Sequence, residues 1–511
     1  MCPDNHAVQT PEKPAVVMAG GESRVSYADL VARSRRLAHA LRRTGLKTGD
    51  TIAFVCDNRA EVFELVWAAQ RMGLYFVPIN WHLQVDEAAY IISDSGARVI
   101  FVSDRIAELA APLLARISPD LLRIVVGEST LPGYLPYGEF VAQCPATALP
   151  DETEGTAMVY SSGTSGQPKG IKRPLRGTPF GTQPPMDKLI IGLFGIDANT
   201  VYLSPAPLYH MAPLGWSMIV QRAGGTVVVM KSFDAQEALD LIAEHRVTHV
   251  QMVPTHFVRM LRLPEAARRR ADLSSLRYLI HAAAPCPVDV KERMIDWLGP
   301  IVWEFYAASE GNGFCMISPQ EWLSHRGSVG RSMLGKIRIL DEGGNELPPG
   351  EVGGVWFEGG LEFSYHNDPA KTAEARDAAG RTTVGDLGYL DAEGYLYLSD
   401  RRSHLIISGG VNIYPQEIEN ALALHPKVED VAVIGVPNEE FGEEVKAVVV
   451  AAPGIEPGAE LAEELMQFCR ERIARYKCPR SVDFVEELPR MPTGKLVKRL
   501  LMERYRATPA G

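Results

Sequence analysis

Cysteine and positive charge are both sparse in this chain, and each shortage excludes a class of protein. The seven cysteines, Cys2, Cys56, Cys144, Cys286, Cys315, Cys469 and Cys478, stand far apart, and no pair is spaced CxxC. An odd count so arranged argues against a disulfide scaffold or a zinc ribbon, and for a reducing compartment. Lys and Arg number 52 against 63 Asp and Glu, a net charge of −11. Nucleic-acid and anionic-membrane binding want clustered cations, so neither partner is expected. The start, MCPDNHAVQTPEKP, has no basic region and no apolar core, so a secretory signal is not expected and a cytoplasmic location is. The longest apolar stretch, Leu189 to Val220, contains Asp197, His210, Pro205, Pro207 and Pro213. It reads as buried strands and turns, not as a transmembrane segment. Short-period repeats and low-complexity segments are also missing. What remains is globular: 46% hydrophobic and 23% charged over 511 residues, enough for roughly two to four domains.

Two hydrophobic periods alternate along the first part of the chain. Residues 27–44 place Leu30, Leu37 and Leu41 on one helical face. Thr51–Val55 reads as a strand, Glu61–Met72 as a helix, Phe76–Ile79 as a strand, Glu87–Ser93 as a helix and Val99–Val102 as a strand. The pattern returns as the strand Thr226–Met230, the helix Ala235–His245 and the strand Val250–Val253. Strands and helices joined by short polar connections argue for parallel sheet covered by helices. Near residue 400 the character changes. A helix over Pro415–Leu424, strands over Val431–Val436 and Val445–Ala451 and a helix over Leu461–Ala474 make a small α+β domain. The domains are therefore set at 1–400 and 404–511, with a hinge at 401–403.

The strongest local signal is Tyr160-Ser161-Ser162-Gly163-Thr164-Ser165-Gly166-Gln167-Pro168-Lys169-Gly170, which follows the apolar Ala157-Met158-Val159. The glycines let backbone approach a bulky anion. Four hydroxyls and free N–H groups suit phosphate oxygens, and Lys169 adds a cation. The spacing is not that of GxxxxGK[ST], and no Ser or Thr follows the lysine.

This stretch resembles the phosphate loop of the adenylate-forming superfamily, in its acyl- and aryl-CoA synthetase branch, and the resemblance runs over nearly the whole chain. Gln9-Thr-Pro-Glu-Lys-Pro14 and Gly45-Leu-Lys-Thr-Gly-Asp50 are similar to the family's opening segments. Tyr306-Ala-Ala-Ser-Glu310-Gly311 resembles its aromatic-to-glutamate motif, and Gly385-Asp386-Leu-Gly-Tyr its ribose-binding aspartate. Asp400-Arg401 precedes the hinge, Ser408-Gly-Gly-Val-Asn-Ile-Tyr-Pro-Gln-Glu417 resembles the thioester-forming loop, and Pro492-Thr-Gly-Lys495 the C-terminal lysine motif.

The resemblance implies a fold and a set of roles. The fold is α/β: a large N-terminal domain of layered sheets with a small β-barrel-like region, and a small, mobile α+β C-terminal domain. ATP, Mg2+ and coenzyme A are the implied cofactors. Ser161, Ser162, Gly163, Thr164, Ser165, Gly166 and Lys169 would take the phosphates, and Glu310 with Thr164 the metal. Tyr306 would stack on adenine, with Ala282, Ala283 and Ala284 opposite and Ser309 beside Glu310. Asp386 would hold the ribose, and Arg401 would reach the same ribose or a phosphate. Lys495 would bridge the substrate carboxylate and the α-phosphate, and Gly409 and Gly410 would pass a pantetheine arm. His210, in Ala206-Pro-Leu-Tyr-His210-Met, would lie between acyl pocket and thiol entrance, as a positioning or gating residue.

Some positions depart from the family pattern. Ser403 stands at the hinge, Ser309 replaces a threonine, Ala307 replaces a glycine, and His281 precedes Ala282–Ala284 where small residues are usual. Ile171-Lys172-Arg173-Pro174 is unusually basic and reads as solvated. The function expected is AMP-forming ligation of a hydrophobic carboxylic acid (fatty, alicyclic or aryl) to coenzyme A. The expectation allows a homodimer. The alternatives are a stand-alone adenylation enzyme that loads a carrier protein, a luciferase-like monooxygenase and a non-catalytic nucleotide-binding regulator. Ala, Gly and Met dominate the stretches His210–Trp216, Ala282–Ala284 and Gly311–Met316, which favours an apolar acid over an amino acid.

Overall fold

The computed structural model describes residues 1–21, 23–161, 168–401, 404–408, 411–438, 441–490 and 496–507, with backbone alone at Ser161, Asp400, Arg401, Asn412, Arg506 and Ala507. The chain divides into two compact units. One comprises Met1–Met252, Arg262–Ile280 and Glu362–Thr372; the other comprises Val253–Leu261, His281–Leu361 and Ala373–Gly511.

In the first unit, the expected strand–helix alternation forms a six-stranded parallel sheet. Its order is Leu135–Pro136, Leu122–Val126, Ala97–Ser103, Thr51–Val55, Tyr75–Ile79 and Thr156–Ala157. Thr51–Val55 and Tyr75–Ile79 are buried at every position, as strands covered on both faces must be. Helix Tyr27–Arg43 starts where Ser26 accepts a bond from the Asp29 N–H, and packs Leu30, Leu37 and Leu41 inward. A second parallel set orders His249–Met252, Val201–Ser204, Thr226–Val229 and Pro14–Met18, edged by the antiparallel Arg24–Ser26.

The stretch Leu189–Val220 corrects its sequence reading. Half of it is helical, with helices Pro185–Phe194 and Met211–Ala223 flanking the strand Val201–Ser204. Pro213 is tolerated because it falls in the first turn, where backbone N–H groups have no intrahelical acceptor to lose. No helix among the described residues is long and apolar enough to cross a membrane.

In the second unit, Val302–Ala307, Phe314–Ile317 and Arg331–Leu334 pair antiparallel. A four-stranded antiparallel sheet follows, ordered Lys336–Leu340, Gly353–Glu358, Asp386–Leu390, Leu396–Arg401, over a core of Ile337, Ile339, Val355, Phe357 and Leu396. After residue 404 a five-stranded sheet is built on the long antiparallel pair Val428–Asn438 and Gly442–Ala451. Helices Pro415–Leu422, Ala459–Arg470 and Lys498–Ala507 belong to the same segment. The helix expected to reach Ala474 ends at Arg470, because Cys469 is its last buried residue and Glu471 and Arg472 are exposed. The fold is thus a large N-terminal α/β domain with mixed sheets and a smaller C-terminal α+β domain.

Candidate active site

The phosphate-loop signal sits in the first unit on an antiparallel strand pair. Val159–Ser161 pairs with Lys169–Lys172, placing Lys169 opposite Ser161 and Gly170 opposite Tyr160. Ser364–Tyr365 flanks the second strand. Ser162, Gly163, Thr164, Ser165 and Gly166 lie outside the described residues, as does the Ser161 side chain. The stem is held by Asp94, at the end of helix Val85–Asp94. Tyr160 donates to Asp94 Oδ2 at 2.6 Å and Asn367 to Oδ1 at 3.1 Å. His366 bonds the Asp94 carbonyl through Nε2 at 3.0 Å and donates its backbone N–H to Gly170 O at 2.7 Å. The Lys169 ammonium lies 5.8 Å from the Tyr365 ring centre, and Lys172 4.6 Å from that of Tyr75.

His210 is half-buried at the N-cap of helix Met211–Ala223, and its ring lies 4.6 Å from that of Tyr209. The loop before it is clamped by buried Asn58. The Asn58 amide donates to Met230 O at 2.7 Å and Ala206 O at 3.3 Å, and its carbonyl accepts the Leu208 N–H at 2.8 Å. Within the helix, Trp216 packs edge-on against Phe194.

The second unit brings Tyr306 and Asp386 together. The Tyr306 hydroxyl donates to Asp386 Oδ2 at 2.5 Å. Tyr306 is the penultimate residue of the strand Val302–Ala307, after which the chain turns at Gly311, with φ of 70° and its N–H donated to Ala308 O at 2.9 Å. Glu310, in that turn, is 7% exposed. The chain around Gly360 runs so close that a Cβ there would lie 1.8 Å from Asn312 O. Ala283 has φ of 75°, a left-handed conformation rare for a residue with a side chain. His281 is fully buried, against Phe257.

Gly409, Gly410, Ser403 and Lys495 lie outside the described residues, as does the Arg401 side chain. The flanks of Lys495 are anchored. Arg490 pairs with Asp430 through two bonds of 2.5 and 2.6 Å, and Lys498, 6% exposed, pairs with Glu419 at 2.8 Å. Arg490 and Leu496 form an antiparallel bridge.

Two family models match the chain, "AMP-binding enzyme" over residues 3–363 and "AMP-binding enzyme C-terminal domain" over 417–495. The chain belongs to the AMP-binding enzymes. Within that adenylate-forming superfamily it falls in the acyl-CoA synthetase branch, and it is an AMP-forming acid–thiol ligase that activates a carboxylic acid. It is 32% identical over 508 residues to a fatty acid–[acyl-carrier-protein] ligase of Streptomyces coeruleorubidus, covering 98% of this chain and 95% of that one. It is 34% identical over 499 residues to a feruloyl-CoA synthase of Amycolatopsis sp, covering 96% of each. Among solved structures, ATP-bound MatB from Rhodopseudomonas palustris superposes with a TM-score of 0.82 at 28% identity, covering 99% of each chain.

The sequence reading did not single out Asn58, Asp94, Lys291 or Glu304. For Lys291 a signal existed: on helix Val288–Leu298 it falls in the buried stripe with Val290, Met294 and Ile295. Glu304 likewise interrupts an otherwise apolar strand. Asp94 and Asn58 had no such mark, since their partners lie at least 66 residues away.

Proposed function

We propose that this ligase activates a hydrophobic carboxylic acid of medium to large size and transfers the acyl group to coenzyme A. The observation that carries the nucleotide assignment is the Tyr306–Asp386 hydrogen bond of 2.5 Å beside the Glu310 turn. It joins the ring read as the adenine platform to the carboxylate read as the ribose acceptor. A carboxylate is acceptor-only and suits a pair of ribose hydroxyls. The apolar acid is supported by the composition of His210–Trp216, Ala282–Ala284 and Gly311–Met316, where Ala, Gly and Met dominate.

In the first half-reaction the acid's carboxylate oxygen attacks the α-phosphorus of ATP, and pyrophosphate leaves. Two anions must meet, so placement and charge neutralisation carry the catalysis. Lys169 and the hydroxyls of the phosphate loop take the outgoing phosphates. Lys495 bridges the carboxylate and the α-phosphate, where negative charge develops. Among the described residues no group of three or more His, Cys, Asp or Glu could hold a metal. Magnesium that arrives with ATP keeps phosphate and water ligands and needs only one or two carboxylates. Glu310, with the Thr164 hydroxyl, fits that requirement, and the ion would supply charge neutralisation at the phosphates. In the second half-reaction the thiolate attacks the acyl carbonyl and AMP leaves. Gly409 and Gly410 give the pantetheine arm room, and His210 lines its entrance.

The segment 404–511 rotates about 401–403 between the two steps, which brings Lys495 and then Gly409 into use. The likeness to a carrier-protein ligase supports a second reading, in which the acceptor thiol belongs to a carrier. Half-reactions test the alternation. Lys495→Ala is expected to abolish adenylate formation yet still convert a supplied acyl-adenylate to thioester, while Gly409→Leu does the reverse, each by more than about tenfold. Equal damage to both steps by both variants would falsify the rotation. Replacing coenzyme A with a phosphopantetheinyl carrier separates the two acceptors.

A further inference from the structure

A buried ion pair lies on the strand that carries Tyr306, and the proposed reaction does not use it. Lys291 has no exposed surface and donates to Glu304 Oε2 at 2.5 Å. Glu304 stands two residues before Tyr306 on the same strand, so the two side chains leave the same face. His281 Nε2 lies 3.4 Å from the same carboxylate oxygen, and His281 immediately precedes Ala282-Ala283-Ala284. Burial, reinforced by the Lys291 charge, holds the His281 imidazole well below its ordinary range. It is therefore a neutral neighbour and not a third charge. Neither of its ring nitrogens makes a hydrogen bond among the described residues. The Lys291 ammonium also lies 4.8 Å from the Trp322 ring centre.

One carboxylate, carried on the strand of Tyr306, thus lies against the residue that precedes the 282–284 stretch. Ala283 keeps its left-handed backbone only if its surroundings hold it there. Stability alone is a poor reason for the pair, because taking two charges out of water costs about what their attraction returns. Fixing the geometry of two flanking stretches is a better one.

We propose that Lys291 and Glu304 are positioning residues that set the Tyr306 ring against the 282–284 backbone, and so govern affinity for the adenine end of ATP. The proposal deepens the nucleotide reading above and rests on it. The test replaces both charges by apolar side chains of similar volume, Lys291→Met with Glu304→Leu. The double variant is expected to melt close to wild type while its KM for ATP rises at least about fivefold and its KM for the acid stays within about twofold. A wild-type KM for ATP in the folded double variant overturns the proposal, because the pair would then serve packing only. If the double variant does not fold, Lys291→Arg, which keeps the charge pair, is compared with Glu304→Gln, which does not. A higher KM for ATP in Glu304→Gln supports the proposal, and equal values overturn it. Failure of the underlying reading looks different: Glu310→Ala would then leave adenylate formation intact.

Discussion

Two carboxylates stand behind the two stretches assigned to ATP, and they are satisfied by different means. Asp94 is half-buried and accepts from neutral donors, the Tyr160 hydroxyl and the Asn367 amide. Glu304 is buried and accepts from an ammonium. Burial pushes the Glu304 carboxyl up, with Lys291 opposing. When a neutral partner is lost at a site that water reaches, water substitutes for it. When one member of a buried ion pair is lost, the other charge is left in a medium that cannot solvate it. Under the proposed roles, a stem that passes a phosphate chain can be held by replaceable bonds, whereas a support for a flat ring gains from rigidity.

The contrast is broken most forcefully at Glu304→Leu alone. Stranding the Lys291 ammonium is expected to cost about 3–5 kcal/mol, read by urea unfolding. If Asp94→Ala costs as much, the distinction between the two supports is wrong.

A third carboxylate sharpens the comparison through pH. Asp187 pairs with Arg222 at 3.2 Å, while Arg222 also holds Glu154 at 2.9 Å. Burial, against the pull of Arg222 and with the push of Glu154, moves the Asp187 carboxyl from 3.8 up to about 6. A raised folded-state value means that the folded protein binds the proton more tightly than the unfolded chain does. Its contribution to stability is therefore full below pH 3.8 and lost as pH rises to about 6, with no further change above. Asp187→Asn is expected to remove this slope, a change on the order of 1–3 kcal/mol between the two ends of the window. Unfolding of both proteins across that range checks it. An unchanged slope in the variant would assign the titration elsewhere.

The smallest effect belongs to Asp94→Ala, about 1 kcal/mol of stability. The looser stem should nonetheless raise the KM for ATP several-fold, with the KM for the acid unchanged. A change in neither would make the Asp94 contacts incidental to the site.

These supports were also where the sequence was least informative. The parallel layers were legible because Thr51–Val55 and Tyr75–Ile79 announce themselves as short apolar runs between amphipathic helices. Tyr306, Glu310 and Asp386 were legible because they stand in short, family-specific strings. Leu189–Val220 misled because its prolines suggested broken structure, although Pro213 occupies the one helical turn that needs no N–H. Asp94 and its partners at 160 and 366–367 are brought together only by the fold, so no local pattern marks them. A charge set into the apolar stripe of a helix, as at Lys291, or into an apolar strand, as at Glu304, is the trace this buried pair leaves in the sequence.

Acid-dependent exchange of labelled pyrophosphate into ATP tests the central claim most directly, because it reads acyl-adenylate formation without requiring any thiol. Across a panel of acids, apolar acids of medium to large size are expected to support exchange at least about tenfold faster than acetate or any amino acid, a difference of roughly 1.4 kcal/mol in barrier. Acetate or an amino acid outrunning every apolar acid would contradict the pocket assignment, and exchange that depends on no acid at all would contradict the adenylate chemistry itself.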